Sequence, residues 1–273
     1  MKHLILYLAT GLLFLFISCD PIDDRDSAGA IIDPSEFQYT ITQDPMDDYI
    51  IYLKNETPEV FFSWDYAWGT TTRQQDTVRI LVAGTYKIKI TGTTAGGLVY
   101  DEQEITVTKN DPDAFQEPEW PLLTNMKDGK TWVWDTGKEY PWGNGGYMGC
   151  TSSCWWVVTP DDLAGRGVLN DEMTFDLNGG RHLTLVAETT PEAGTTEGTF
   201  NLDMTSTLEG WSVGLLTTQN VTIINGIDVN NGNVKFYDYY ILKLTEDELH
   251  LSAAQPGTGS WGEAWFWQFK PKN

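Results

Sequence analysis

Three features of the sequence predict an all-β chain. The first is two-residue alternation: in Gly84-Thr85-Tyr86-Lys87-Ile88-Lys89-Ile90, Tyr86, Ile88 and Ile90 fall on one face and Lys87 and Lys89 on the other. That is the pattern of a half-buried antiparallel strand. The second is a succession of short apolar segments separated by Gly, Thr, Asn and Asp. The third is that the Gly- and Thr-rich texture contains no convincing amphipathic helical stretch. The expected architecture is a small two-sheet sandwich followed by a larger, jelly-roll-like β-sandwich.

In the first unit, placed at residues 37–110, Phe61-Phe62-Ser63-Trp64-Asp65-Tyr66 leads to a Thr-rich turn. Thr77–Val82, Gly84–Ile90 and, after a turn at Gly96-Gly97, Glu104–Thr108 complete the candidate strands. Asn110-Asp111-Pro112-Asp113 and Glu117-Pro118-Glu119 are stiff, charged and strand-breaking, and mark a boundary. The second unit, 111–273, carries strand candidates at Thr131–Trp134, Trp155–Val158, Glu172–Leu177, His182–Ala187, Thr199–Met204, Val221–Ile224, Tyr237–Leu244, Leu249–Ser252 and Ala264–Phe269. Such a density of antiparallel strands suits a two-sheet sandwich.

Met1-Lys2-His3 followed by the apolar run Leu4–Ile17 reads as a targeting segment, too short to span a bilayer comfortably. Its end, Phe16-Ile17-Ser18-Cys19, resembles a bacterial lipobox. The resemblance implies a signal peptide at 1–18, cleavage before Cys19 and acylation of that cysteine. An uncleaved anchor or a free secreted protein is the alternative. Asp20, Asp23, Asp24 and Asp26 open an acidic linker at 19–36. It resembles the surface-export signal of Bacteroidota lipoproteins, which implies the outer face of the outer membrane; a solvated periplasmic linker is the other reading.

The formal charge is −22. Residues 1–18 hold one Lys and no acid, so from Cys19 onward the charge is −23. So acidic a surface repels nucleic acid and anionic polymers and favours a neutral partner.

Trp64-Asp65-Tyr66, followed by Ala83-Gly84-Thr85-Tyr86-Lys87-Ile88-Lys89-Ile90, resembles a polycystic-kidney-disease (PKD) repeat of the immunoglobulin-like class. Ala67-Trp68-Gly69 stands where that family has Gly-Asp-Gly. The resemblance implies a rigid spacer. Trp68 reads as an aromatic partly covered beside the turn, with a second ligand contact as the alternative.

The chemistry is expected in Lys130–Trp156, where five Trp and two Tyr are interrupted by five Gly. Thr131–Trp134 reads as a strand with an aromatic face, and Tyr140–Tyr147, with Pro141, Gly143, Gly145 and Gly146, as a loop. Cys150 and Cys154 lie outside the reducing cytoplasm on this reading, and a disulfide between them would brace the loop before Trp155-Trp156. Two thiols without neighbouring histidines do not make a zinc site.

Enzyme signatures are missing: there is no Gly-x-Ser-x-Gly, no phosphate-cradling Gly-Lys-Ser/Thr and no His-Glu-x-x-His. His182 and His250 alternate with leucines on strands. Glu172 and Asp176 of the same strand, like any chance pair among 39 acids, are a weak basis for a glycosidase. Asn170-Asp171-Glu172 with Asp161-Asp162 could form a structural Ca²⁺ site, with solvated turn acids as the simpler reading. No other cofactor is expected.

Sugars present flat C–H faces rimmed by hydroxyls, matched by an indole plate with amide and carboxylate neighbours. Trp142 and Trp261 fall in Gly-rich contexts, Trp211 follows Glu209-Gly210, and Trp155 and Trp156 must face opposite sides of a strand. Trp132, Trp134, Trp265 and Trp267 alternate on strands and read as core. The expected platform is Trp142, Trp156 and Trp261. Trp155, Trp211, Tyr147 and, less directly, Tyr140 are further contacts, and Asp135, Asn144 and Glu263 would take hydroxyls.

Lys130–Asp135, Trp155-Trp156, Leu169–Phe175 and Trp265–Lys272 together resemble the C-terminal part of surface glycan-binding lipoproteins. These accompany the outer-membrane glycan importers of Bacteroidota polysaccharide-utilisation systems. The resemblance implies non-catalytic capture of a neutral polysaccharide or oligosaccharide, a β-glucan foremost, for such an importer. The alternatives are a glycoside hydrolase with an unrecognised carboxylate pair and a non-sugar adhesive surface protein.

Overall fold

The computed structural model describes residues 29, 31–189 and 193–272. The candidate signal segment, the lipidation candidate Cys19 and the acids at 20–26 lie outside the described residues. The fold is all-β, as the alternation predicts.

The first unit contains β1 (Tyr39–Gln43), β2 (Ile50–Asn55), β3 (Phe61–Asp65), β4 (Thr70–Thr71), β5 (Gln75–Arg79), β6 (Gly84–Thr94) and β7 (Gly97–Val107). They form a three-stranded sheet, β1-β2-β5, and a four-stranded sheet, β4-β3-β6-β7. Their core holds Ile51, Leu53, Phe62, Trp64, Ile80, Ile88 and Ile90. In β6 the alternation resolves as read, with Tyr86, Ile88 and Ile90 buried and Lys87 and Lys89 exposed.

The boundary segment is packed rather than free. The Asp111 carboxylate is buried 3.0 Å from the Arg79 guanidinium, and its backbone N–H donates to Leu81 O. Val82 of the first unit belongs to the core of the second, and Trp68 packs against both cores.

The second unit begins with helix α1 (Glu119–Thr124) and continues through β8 (Lys130–Trp134), β9 (Trp142–Gly146), β10 (Val157–Val158), helix α2 (Pro160–Arg166), β11 (Glu172–Asp176) and β12 (His182–Ala187). Then follow β13 (Gly194–Asp203), β14 (Gly214–Gln219), the small hairpin β15 (Ile227–Asp228) and β16 (Val234–Lys235), β17 (Asp238–Leu244), β18 (Leu249–Ala254) and β19 (Glu263–Pro271). Ten of these strands form one antiparallel sheet in which consecutive strands are mostly neighbours. The path is therefore a meander. The end of β19 also pairs with β8, Phe269 opposite Trp134, and this closes the sheet into a barrel. Closure leaves no free edge among the eight strands of the ring.

A ring of eight strands encloses just enough room for side chains, and here Trp132, Trp134, Phe175, Phe200, Tyr239, Trp265 and Trp267 fill it. Buried indole N–H groups need acceptors. Trp132 donates to Leu123 O (2.9 Å), Trp134 to Val168 O (2.9 Å), Trp267 to Asn225 O (3.1 Å) and Trp265 to Asp228 Oδ1 (3.0 Å).

Two expectations are corrected. Val221–Ile224 is no strand: it is an irregular segment whose Val221, Ile223 and Ile224 sit in the barrel core, and β14 supplies the strand instead. An apolar run of that length serves a plug as well as a strand. The expected loop around Trp142–Gly146 is instead β9, and every one of its residues is buried.

Candidate functional site

At its C-terminal end β19 pairs with β8, but its first half pairs with β9, which carries the sheet beyond the barrel: Glu263 lies opposite Gly146, Trp265 opposite Asn144 and Trp267 opposite Trp142. On the other edge of β9, Val157 pairs with Gly143, and Asn144 N donates to Trp156 O. Strand parity then sorts the aromatic candidates. Trp142, Asn144 and Gly146 share the barrel-side face with Trp265, Glu263 and Trp156; Gly143, Gly145 and Tyr147 face outward.

The glycines of β9 answer to close approach rather than to a turn. A Cβ at Gly143 would collide with the Trp156 carbonyl oxygen, and one at Gly145 would lie 2.6 Å from Cys154 Sγ. A Cβ at Gly146 would lie 2.6 Å from the Trp261 ring, as would one at Gly149. Trp261 therefore rests one side of its indole on a glycine floor. It is held by Trp261 N donating to Tyr147 O (2.8 Å) and Tyr147 N to Gly262 O (2.7 Å), and it remains 61% exposed. Its own backbone is left-handed, φ 64°, a conformation uncommon for a bulky residue and tolerated where the surroundings over-determine it.

Beside this plate runs a polar network. Glu263 Oε1 accepts from Asn144 Nδ2 and from Asn230 Nδ2, both at 2.5 Å, and Asn144 Oδ1 accepts from Trp156 N (2.9 Å). Asn144 is 5% exposed, so its amide is fixed. Glu263 Oε2 and Asn230 Oδ1 accept no hydrogen bond from the described residues. Further along stands Trp156, 37% exposed, edge-on to Trp142 (5.4 Å) and Trp265 (5.8 Å), with the Arg166 guanidinium 5.3 Å from its ring centre.

Trp142 itself is corrected from platform to support. It is 2% exposed, enclosed by Trp134, Trp156 and Trp265 and covered by Arg166. Tyr147 and Trp211 belong to a separate outward cluster. Their rings are 5.2 Å apart, both pack on Tyr240, and Trp211 Nε1 donates to Cys150 O (2.7 Å). Cys150 and Cys154 are disulfide-bonded beneath that side. Trp155 is 52% exposed and has no ring contact among the described residues. Tyr140 is half-buried at the loop before β9.

Asp135, close to the aromatics in sequence, is elsewhere in space. It receives Gly137 N–H and joins a charged cluster with Lys138, Glu248 and Lys243. Hydrogen bonds from Lys138 and Lys243 pull the Glu248 carboxyl down to about 2. The calcium candidates are likewise committed apart. Asp162 caps α2 with Thr159, Asp171 accepts Glu188 N–H, and Glu172 pairs with Lys272. Burial raises the Asp171 carboxyl above its ordinary value. Among the described residues no three His, Cys, Asp or Glu converge.

Sequence reasoning missed Asn230 and Arg166. The run Val229-Asn230-Asn231-Gly232-Asn233 is a turn rich in amides, the one local signal that pointed to Asn230; Arg166 reaches Trp156 only through the fold. A more enclosed depression, about 380 Å³, lies by Asp171, Leu185, Thr222, Asn225 and Lys235, but no aromatic ring lines it.

No protein-family model matches the chain, and no curated protein matches it. Among solved structures, one from work on the promiscuous specificity of carbohydrate-binding modules of the beta-sandwich superfamily is similar at 14% identity, over 87% of this chain and 92% of that one, with a TM-score of 0.23. A superposition that loose bears on neither the site nor its ligand.

The glycine floor gives a direct check. Gly143→Ala, which drives a Cβ into backbone, should cost about 1–3 kcal/mol and lower the melting temperature accordingly. Gly146→Ala should leave stability nearly unchanged while tilting the Trp261 ring, read as an altered accessibility of tryptophan fluorescence to a neutral quencher. Equal destabilisation by both would show that Trp261 is not free to move on that floor.

Proposed function

We propose that the chain binds a neutral polysaccharide along the barrel-side face of β9 and β19, without cleaving it. The observation that supports this best is the sequence of groups on one face: the Trp261 plate, the Glu263–Asn144–Asn230 network, then Trp156. Gly146 and Trp142, which underlie the two ends, are four residues apart on a strand, about 13 Å, the span of a short oligosaccharide. Stacking on the indoles would hold the apolar sugar faces. Hydroxyls would donate to Glu263 Oε2 and Asn230 Oδ1, the acceptors left open, while the buried Asn144 amide keeps the carboxylate in register. A carboxylate flanked by two amides discriminates hydroxyl patterns rather than charge, in keeping with a ligand that carries none.

Hydrolysis by two carboxylates requires a second acid. Asp228, in the adjoining hairpin, is 3% exposed, and its oxygens are occupied by Trp265 Nε1, Asn231 N and Gln255 Nε2. Buried and already holding three donors, it is engaged in structure rather than free to serve as acid or base. A β-glucan remains the foremost neutral candidate. The setting we propose is the cell surface, with Cys19 lipidated, the first unit as spacer and an outer-membrane importer receiving the glycan; this rests on the lipobox and on the resemblance to surface glycan-binding lipoproteins.

Trp261→Ala and Trp156→Ala should each weaken retention in native gels containing the cognate polysaccharide by roughly thirty-fold, about 2 kcal/mol, with melting temperatures within a few degrees of wild type. Trp142→Ala should instead cost about 3–5 kcal/mol of stability, and Trp211→Ala should leave binding intact. New reducing ends in the same incubation would establish an enzyme. Undiminished retention by both platform variants would remove the face from the account.

For location, Cys19→Ala should move the protein from the membrane fraction to the soluble fraction of its host and abolish antibody labelling of intact cells. Persistence in the membrane would contradict lipidation at Cys19.

A further inference from the structure

We propose a second glycan-binding groove at the junction of the two units, resting on the carbohydrate reading above. Four rings line up across this junction: Trp68 with Phe115 (5.7 Å), Phe115 with Trp120 (4.7 Å) and Trp120 with Phe200 (6.0 Å). Trp68 and Phe115, both half-buried, border a depression of about 570 Å³ beneath which Trp120 and Phe200 lie buried. That volume is within the range typical of ligand sites, which favour domain interfaces and apolar floors with a few polar groups.

The depression does not end there. Through Trp68 and Leu81 it runs into a second, about 670 Å³, walled by Thr70, Thr71, Thr72 and Thr77. Through Arg181, Thr199 and Phe200 it runs into a third, about 330 Å³, walled by Asn201, Thr217 and Gln219. The three depressions adjoin one another at these shared residues, with Trp68 and Phe115 towards the middle and hydroxyl- and amide-bearing side chains towards the outer two. Taken together they form the proposed trough, a shape that suits a chain lying along it. Its lining carries hydroxyls and amides together with Glu117, Arg181 and the ion-paired Arg73, Asp76 and Arg79, a polar surface that matches a polyhydroxylated polymer rather than an apolar peptide.

The backbone at the junction is left-handed at Phe115, φ 53°, and at Ala67, just before Trp68, φ 70°. Asp65 Oδ1, which accepts Ala67 N–H (3.1 Å), and Tyr66 N, which donates to Gly69 O (3.0 Å), hold the turn that carries Trp68.

The trough can be blocked without disturbing the rings that join the units. Thr199 is exposed on β13, and Thr199→Arg places a long side chain across the channel. Wild type, Thr199→Arg, Trp261→Ala and the double variant should be compared on native gels of soluble β-glucan, xylan, mannan and starch, with melting temperatures measured alongside. Two sites on one polymer act by avidity, so each single variant should lose at least about tenfold in apparent affinity and the double variant all retention. Thr199→Arg that melts normally and binds like wild type, with Trp261→Ala already null, overturns the groove while leaving the first face standing. A wild-type protein retarded by none of the gels overturns the proposed function and the groove together. Should Thr199→Arg melt early, Thr217→Arg at the far end of the trough takes its place, with the same two readings.

Discussion

The close approach at β9 is the constraint from which the candidate site follows. β19 is long enough to serve two partners, closing the barrel against β8 with its last residues and holding β9 with its first. Only a strand nearly free of side chains fits the gap between β19, the backbone of Trp156 and the Cys150–Cys154 bridge, with Gly146 left as the floor for the Trp261 ring. The sequence Trp-Gly-Asn-Gly-Gly meets that demand. Its two side chains have distinct duties: Trp142 anchors the strand in the core, and Asn144 orients Glu263. The glycines give up conformational entropy, offset by the ladder hydrogen bonds and by packing on both faces.

A second constraint shapes the loops. Filling a barrel with tryptophan leaves N–H donors that need acceptors, and those of Trp132, Trp134, Trp267 and Trp265 come from segments outside the eight strands of the ring: Leu123 in α1, Val168 after α2, and Asn225 and Asp228 at the plug and hairpin, while the buried Trp142 Nε1 has no partner among the described residues. Those bonds fix the hairpin bearing Asn230. The polar network of the site is thus a by-product of satisfying the core. The junction obeys similar logic, because Val82 and Trp68 pack into the second core and join the first unit to the barrel.

What was legible in the sequence divides along physical lines. Strands with one wet face, such as β6, β11 and β12, announce themselves by alternation, and the all-β class follows from them. Trp155 and Trp156 were expected on a strand, but they lie in the bend before β10, Trp155 more exposed and Trp156 packed on Trp142 and Trp265. β9 was not legible because glycine marks a turn and a doubly packed strand equally, and what packs on it comes from residues 153–157 and 261. Asp135 misled because nearness in sequence to Trp134 puts it across the sheet among lysines instead. Val221–Ile224 misled because an apolar run records burial, not conformation.

The most direct measurement is a titration of the wild-type protein with soluble oligosaccharides of the retarding polysaccharide, observed through the indole N–H signals in nuclear magnetic resonance after assignment by single Trp→Phe variants. The expected result is that the Trp261 and Trp156 signals move together and saturate, while those of Trp155 and Trp211 stay in place. Saturating shifts at Trp155 and Trp211 with Trp261 and Trp156 unmoved would contradict the placement of the site on the barrel-side face.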